Sequence, residues 1–333
     1  MRKKTIISLL VSILIFIILF IAALMIGRYK IGLADFFKAM FTSDEALDIK
    51  RSIITNLRLP RTIMAALVGI GLSLSGLIYQ ETFRNKLVSP DLLGVSAGAS
   101  VGAAIAIVLG LSSVFISFFS FTLGLLTVFI TVMIARCFRN GSSTILLLSG
   151  VIVSGLMSSV LAFIKYFADP ETTLASITYW EMGTFQNAVL KEVWLILAVV
   201  GICAIFLLTI SWRINIVALG RDEAQTKGIN YNLYRNLIIV VATLLTAVSV
   251  CFCGKVSWVG LVIPHIVRLL VGRNTKRSIP LCITFGGCFM IICDIIARTF
   301  TGSELPISAV TGLIGTVVFI IILITRRKTI NEH

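Results

Sequence analysis

Ten times between residues 5 and 325 the chain settles into a run of roughly 20 apolar residues, the length a helix needs to cross a bilayer core about 30 Å thick. No soluble core can bury so many such runs in series. Composition agrees: of 333 residues 58% are hydrophobic and only 13% charged, with a mean hydropathy of +1.03. The runs are continuous rather than alternating, so a membrane β-barrel is excluded and helices remain. The expectation is an all-α polytopic membrane protein, one domain over residues 1–333. Its spans fall near 5–27, 61–83, 93–109, 114–135, 144–167, 193–212, 234–253, 256–271, 279–300 and 307–325. The first of these, behind Arg2, Lys3 and Lys4, resembles a secretory leader. Its apolar run is too long for one, and no small-x-small cleavage site follows, so it reads as a span.

Charge orients the spans. With both termini in the cytoplasm, 18 of the 29 Lys and Arg residues fall in cytoplasmic segments, against only 5 of the 15 acids. That asymmetry is the positive-inside pattern. It also accounts for the formal charge of +14, because the chain has no soluble basic domain with which to bind nucleic acid.

Two stretches interrupt apolar sequence with polar and turn-forming residues: 87–94 (LVSPDLLG) and 254–260 (GKVSWVG). They fall on opposite sides of the membrane in this topology and share a short Lys-Val-Ser likeness, which suits an inverted repeat whose halves start near Arg58 and Arg235. Small residues crowd at Gly69, Gly71, Ser73, Ser75 and Gly76, and again at Ser96, Gly98, Ser100 and Gly102. In lipid, close helix packing uses such residues; a polar pore lining is the alternative.

Residues 216–228 (IVALGRDEAQTKG), within the cytoplasmic loop 213–233, carry a short helical pattern bounded by Gly220 and Gly228. Glycine accepts positive φ at little cost and can turn the chain at both ends. Asp222 and Glu223 lie in the first turn, where the helix dipole favours acids. The stretch reads either as an ordinary solvated loop or as a handle for a soluble partner.

Little here supports covalent chemistry. No G-x-x-x-x-G-K-[ST] phosphate loop occurs, nor a G-x-S-x-G nucleophile elbow. The two histidines are His265, beside Pro264 in a span, and the terminal His333. Seven cysteines lie mostly in apolar runs and read as small buried hydrophobes; Cys251 and Cys253 have no further ligands at zinc spacing. No metal, cofactor or catalytic residue is expected. Among charges at membrane depth, Asp294 and Arg298 are four apart and can pair on one helix face. Lys165 also approaches bilayer depth, and Gln80 with Glu81 ends the second span. Arg58 and Arg61 flank Pro60 at an outer span end, against the charge trend, which hints at binding.

One set of residues carries a family likeness. Arg58, Leu59, Pro60 and Arg61, followed by Gly69, Gly76, Gln80, Asn85, Leu87, Pro90, Leu93, Gly94, Gly98 and Ala99, resemble the opening signature of the FecCD-type permeases. Trp180 with Gly183, Leu219 and Gly220 with Ala224 and Gly228, the stretch 254–268, Asp294 with Arg298, Glu304 to Pro306, and Gly312 with Gly315 continue it in order over nearly the whole chain. Lys227 departs from the apolar residue expected before Gly228, and Trp258 from the commoner Phe or Ile.

These permeases are membrane subunits of binding-protein-dependent ABC importers for iron–siderophores, haem and cobalamin. The resemblance implies a ten-helix subunit paired with a second permease, identical or paralogous, two ATP-binding subunits below and an extracytoplasmic substrate-binding protein above. It implies translocation of an intact iron(III)–siderophore complex, with cobalamin or haem as alternatives and a proton-coupled secondary transporter as the reading from another class. On this basis Leu219, Gly220, Ala224, Gly228 and Ile229 are expected to couple to the ATPase, with Leu219, Ala224 and Ile229 entering an apolar cleft on it. Arg58, Arg61 and Arg298 are expected to dock the binding protein, and Ser154, Gly155, Ser158 and Ser159 to face the pathway. Because the chain has no phosphate loop, the purified protein alone should hydrolyse no ATP. A steady-state phosphate-release assay checks this, and turnover by the isolated chain would contradict it.

Overall fold

The computed structural model describes residues 2–42, 47–138 and 143–330; His333 lies outside them. All regular structure among these residues is helical. The chain runs through α1 (Arg2–Met25), α2 (Leu33–Phe41), α3 (Asp48–Ser52), α4 (Leu59–Thr82), α5 (Val95–Val108), α6 (Ser113–Arg136), α7 (Ser143–Phe167) and α8 (Thr173–Met182). It continues through α9 (Leu190–Thr209), α10 (Ser211–Val217), α11 (Arg221–Thr226), α12 (Tyr231–Cys253), α13 (Val259–Val271), α14 (Thr275–Thr299) and α15 (Ile307–Ile330).

Among the described residues, eight helices are long and apolar enough to cross a membrane. The two shorter apolar helices, α5 and α13, coincide with the third and eighth expected spans. They have 14 and 13 residues; at 1.5 Å per residue each covers only about 20 Å, roughly two-thirds of a hydrocarbon core. The irregular segments before them, 83–94 and 254–258, supply the remaining depth. Both short helices start on a residue of positive φ, Gly94 (85°) and Trp258 (71°). They run in opposite directions, as an inverted repeat requires: α13 ends beside the cytoplasmic-side end of α4, whereas α5 ends near Tyr179 and Cys253 on the far side.

At the centre stands α4, buried on nearly every face and packed by α14, α12, α13 and α9. Its small residues permit the close approach. A side chain on Gly76 would overlap the carbonyl of Gly260, and one on Gly260 would in turn strike the Pro90 ring, so the two broken segments meet against α4. Ser73 donates to the Cys282 carbonyl (2.8 Å), Ser75 to that of Ala242 (2.8 Å), and the Tyr79 and Thr243 hydroxyls share a 2.7 Å bond. The small-residue stripe of α4 is therefore a packing surface, with each hydroxyl satisfied at a neighbouring helix.

The second span begins earlier than residue 61. Helix runs from Asp48 to Thr82, through a π turn at Ile53–Arg58. Pro60 has no N–H and its ring would crowd the carbonyl four residues back; the wider turn before it accommodates both. On the far side, α2 and α3 close over the end of α1, burying Leu24, Phe36, Ala39 and Ile54 together. Lys50 holds Asp35 at 2.7 Å and keeps that carboxyl below its ordinary pKa. Residues 33–52 lie between the first two expected spans, and α2 and α3 are short helices within them. At the other end, the expected span 193–212 divides, with α9 stopping at Thr209 and α10 starting at Ser211.

Six of the seven cysteines are buried and Cys137 is exposed; all are free thiols. His265 packs edge-on against Phe319, with ring centroids 5.7 Å apart.

Candidate functional site

Two turns build the handle. Gly220 has φ 128° and ψ 179°, open only to glycine, and Gly228 has φ 69°. Between them α11 makes little more than one turn, closed by Ala224 N–H to the Gly220 carbonyl (3.2 Å) and Ile229 N–H to the Ala224 carbonyl (2.9 Å). Asn230 then caps α12, accepting from the Leu233 N–H at 3.1 Å. The handle is anchored to the bundle from both sides. Ala224 is fully buried with Ile216 and Ile229 against Tyr231 and Tyr234. The Arg213 guanidinium lies 4.9 Å over the Tyr234 ring, and Asn215 accepts from the Thr275 N–H at the start of α14 (2.9 Å). Arg84, just past α4, reaches the Gly220 turn.

This arrangement corrects one expectation. Ala224 and Ile229 face inward and do not reach out to a partner's cleft; they seat the handle on its own bundle. Leu219 is the apolar member of the set that is exposed, at 48%. Around it Arg221, Asp222, Glu223, Gln225 and Lys227 are all exposed, so the charge at Lys227 meets no packing conflict within the chain.

The three arginines expected at an outer docking surface are also differently placed. Arg58, Arg61 and Arg298 are 6%, 8% and 5% exposed. Arg58 donates to the carbonyls of Leu24 (2.9 Å), Met25 (2.7 Å) and Tyr29 (2.5 Å), and Arg298 to that of Ala23 (2.6 Å). Together they satisfy the last carbonyls of α1, which its own helix leaves open. Arg61 bonds Asp294 (2.8 Å) and Glu304 (2.6 Å), and Arg298 lies 3.5 Å from the other Asp294 oxygen. Asp294 and Arg298 pair as their spacing predicts. The group ties α1, α4, α14 and the start of α15 together; it does not present guanidinium groups outward.

On the handle side a second knot forms. Arg268 of α13 bonds Gln80 and Glu81 of α4. The Gln80 amide also donates to the carbonyls of Val88 (3.2 Å) and Gly260 (3.1 Å), one in each broken segment. The sequence singled out Gln80 and Glu81 but not Arg268 as their partner.

Ser154 is half-buried beside Gly94, where α5 begins, while Gly155, Ser158 and Ser159 lie on an open face of α7. A side chain added at Gly155 would meet nothing within 4 Å. Above this face, Glu181 of α8 bridges Lys165 of α7 and Lys255, the latter at 3.7 Å. Sequence reasoning missed this triad. Its signals were present, since Glu181 follows Trp180 and Lys255 follows Gly254, but nothing in one sequence brings residues 165, 181 and 255 together. Among the described residues, no cluster of three His, Cys, Asp or Glu side chains could hold a metal ion.

The comparisons with known proteins cover almost the whole chain. The model of the FecCD transport family matches residues 14–325. A molybdate import system permease protein of Haemophilus influenzae is 34% identical over 318 residues, 94% of each chain. An iron chelatin transport system permease protein of Helicobacter pylori is 35% identical over 292 residues, 87% of this chain and 88% of the other. A solved structure of a metal-chelate type ABC transporter in an inward-facing conformation superposes with a TM-score of 0.88 at 32% identity, covering 95% of this chain and 98% of that one.

A Gly220→Val substitution forces a β-branched residue into a φ, ψ region closed to it, at a cost of about 1–3 kcal/mol. The handle should then twist or detach while the bundle stays folded. Transport in proteoliposomes should fall severalfold at unchanged membrane abundance. Normal transport would make the handle an ordinary loop.

Proposed function

The chain belongs to the FecCD transport family and is the membrane-spanning permease subunit of an ABC importer; from that premise we propose that its cargo is an iron(III)–siderophore complex. The observation carrying this reading is the likeness, over nearly the full length, to both an iron chelatin permease and a metal-chelate transporter. Two features of the structure support it. Lys165 and Lys255, partly exposed around Glu181, offer positive charge to a cargo that is often anionic. The open, small-residue face of α7 leaves room for a bulky one.

In this proposal two permeases, identical or paralogous, face each other across the α7 surfaces and ten crossings are made by each. Ser154, Gly155, Ser158 and Ser159 line the pathway. Two ATP-binding subunits sit below, with Leu219 and the polar face of α11 in contact with them. Gly220 and Gly228 hold the handle's shape, and ATP is hydrolysed on those partners. An extracytoplasmic binding protein delivers the cargo from the far side. The bundle, with both knots buried, moves as a stiff body when the handle is pushed; the small residues of α4 allow no local give.

A second reading, import of the molybdate oxyanion, is favoured by the Haemophilus influenzae relative. Uptake into cells or loaded proteoliposomes separates the two. Labelled ferric chelates should enter, and unlabelled ferric chelate should compete, while excess molybdate and cobalamin should not. Ser158→Trp should abolish uptake at normal membrane abundance. Competition by molybdate alone would transfer the assignment to the oxyanion.

A further inference from the structure

At the far-side end of the open α7 face stand three charges that do not share their contacts evenly. Lys165 of α7 donates a hydrogen bond to one oxygen of Glu181 on α8. Lys255 approaches the other oxygen at 3.7 Å, too far for a hydrogen bond. Its side chain is 43% exposed, against 31% for Lys165. Glu181 is thus committed to one lysine and holds the second only loosely. The triad carries one positive charge in excess, and that excess rests on Lys255. The backbone beneath it is fixed. The Thr184 N–H donates to the Cys253 carbonyl (3.1 Å) and the Ile307 N–H to that of Gly183 (3.1 Å). Gly254, with φ 77°, lets the chain pass so close to α8 that a side chain there would strike the Trp180 carbonyl. The end of α12, the end of α8 and the start of α15 are therefore held together around residue 255. What can move is the lysine side chain.

A partly exposed ion pair without a hydrogen bond adds little stability, so another anion can replace Glu181 at small cost. Asp91, in the other broken segment, is near enough to interact with the Lys255 charge, but its own hydrogen bond comes from the Ser96 hydroxyl. Next to Asp91, the Leu92 carbonyl packs at Gly150, well before Lys165 on α7, so this acid lies deeper than the mouth. An anion drawn in by Lys255 next meets a negative charge, which keeps it from binding too tightly to leave. We propose that Lys255 selects cargo by charge: an anionic group on the entering cargo takes its ammonium from Glu181, while Lys165 keeps that carboxylate in place. The substrate class is then a chelate or oxyanion with exposed negative charge, and a neutral chelate gains nothing from the exchange. Such selection is a difference between two cargoes and not a high affinity for either. The inference rests on the reading that this chain imports a chelate and that the α7 face borders its path.

The test is equilibrium dialysis of the purified permease in nanodiscs against a trianionic ferric tris-catecholate and a neutral ferric tris-hydroxamate. The parent should retain the trianionic chelate preferentially. Lys255→Gln should weaken that retention about fivefold and leave the neutral chelate unchanged. Lys255→Arg, which keeps the charge, should keep the preference. Glu181→Gln, which releases both lysines, should raise retention of the trianionic chelate; a merely structural triad would instead lose both chelates together. Thermal unfolding of each variant reports whether it is folded. Equal retention of the two chelates by the parent would overturn the proposal, as would an unchanged preference in Lys255→Gln or an equal loss of both chelates in it. Uptake into proteoliposomes, with molybdate as a third probe, separates this inference from the cargo reading. If the dialysis order holds while molybdate alone is taken up, selection by Lys255 stands and the ferric chelate assignment falls.

Discussion

The far-side junction of α1, α4, α14 and the start of α15 depends on one buried carboxylate. Asp294, 1% exposed, lies between the Arg61 and Arg298 guanidinium groups. A lone charge at such a position is costly, and a buried pair is tolerated only when its geometry and remaining hydrogen bonds are satisfied. Here each arginine has two partners, with Arg298 meeting Asp294 as an ion pair at 3.5 Å and not through a hydrogen bond. Arg61 reaches on to Glu304 at the entrance of α15, and Arg298 to the last turn of α1. Arg58 takes the remaining carbonyls of that turn. Four helices, two from the first quarter of the chain and two from the last, are thereby fixed at one level. Such a knot adds little net stability over apolar packing, but it leaves few alternative registers for helices whose lipid-facing sides are interchangeable.

The handle side has its counterpart in Gln80. It accepts from Arg268 and donates to one carbonyl in each broken segment, so backbone left open by the interrupted helices is satisfied inside the protein. Irregular backbone at membrane depth is tolerable only on those terms. The meeting of Gly76, Gly260 and Pro90 is the steric half of the same arrangement. Two polar knots thus stand at opposite surfaces, joined through α4.

How much of this the sequence disclosed depended on the range of the interaction. The spans were legible because a bilayer imposes length and apolarity residue by residue. The handle was legible because Gly220 and Gly228 act on their own turns. Asp294 and Arg298 share a helix face, so spacing alone paired them. Arg61 is 233 positions from Asp294, and no local pattern announces that contact; an arginine at a span end reads equally as an exposed docking group. The inward direction of Ala224 and Ile229 was hidden for a related reason. A helix of six residues has too little periodicity to show which face it buries, and the tyrosines that receive it lie on the following helix.

Whether Arg61 is a structural group or a docking group decides between the two readings of the far side. The most direct measurement is unfolding of the purified permease in detergent for Arg61→Ala, Asp294→Ala and the double variant, alongside association of the binding protein with each. Removing one partner of the buried pair should destabilise the protein by about 3–5 kcal/mol, and the double variant should lose much less than the sum of the two single losses. Unfolding of Arg61→Ala indistinguishable from the parent, with binding-protein association abolished, would contradict this account and return the arginine to the surface of recognition.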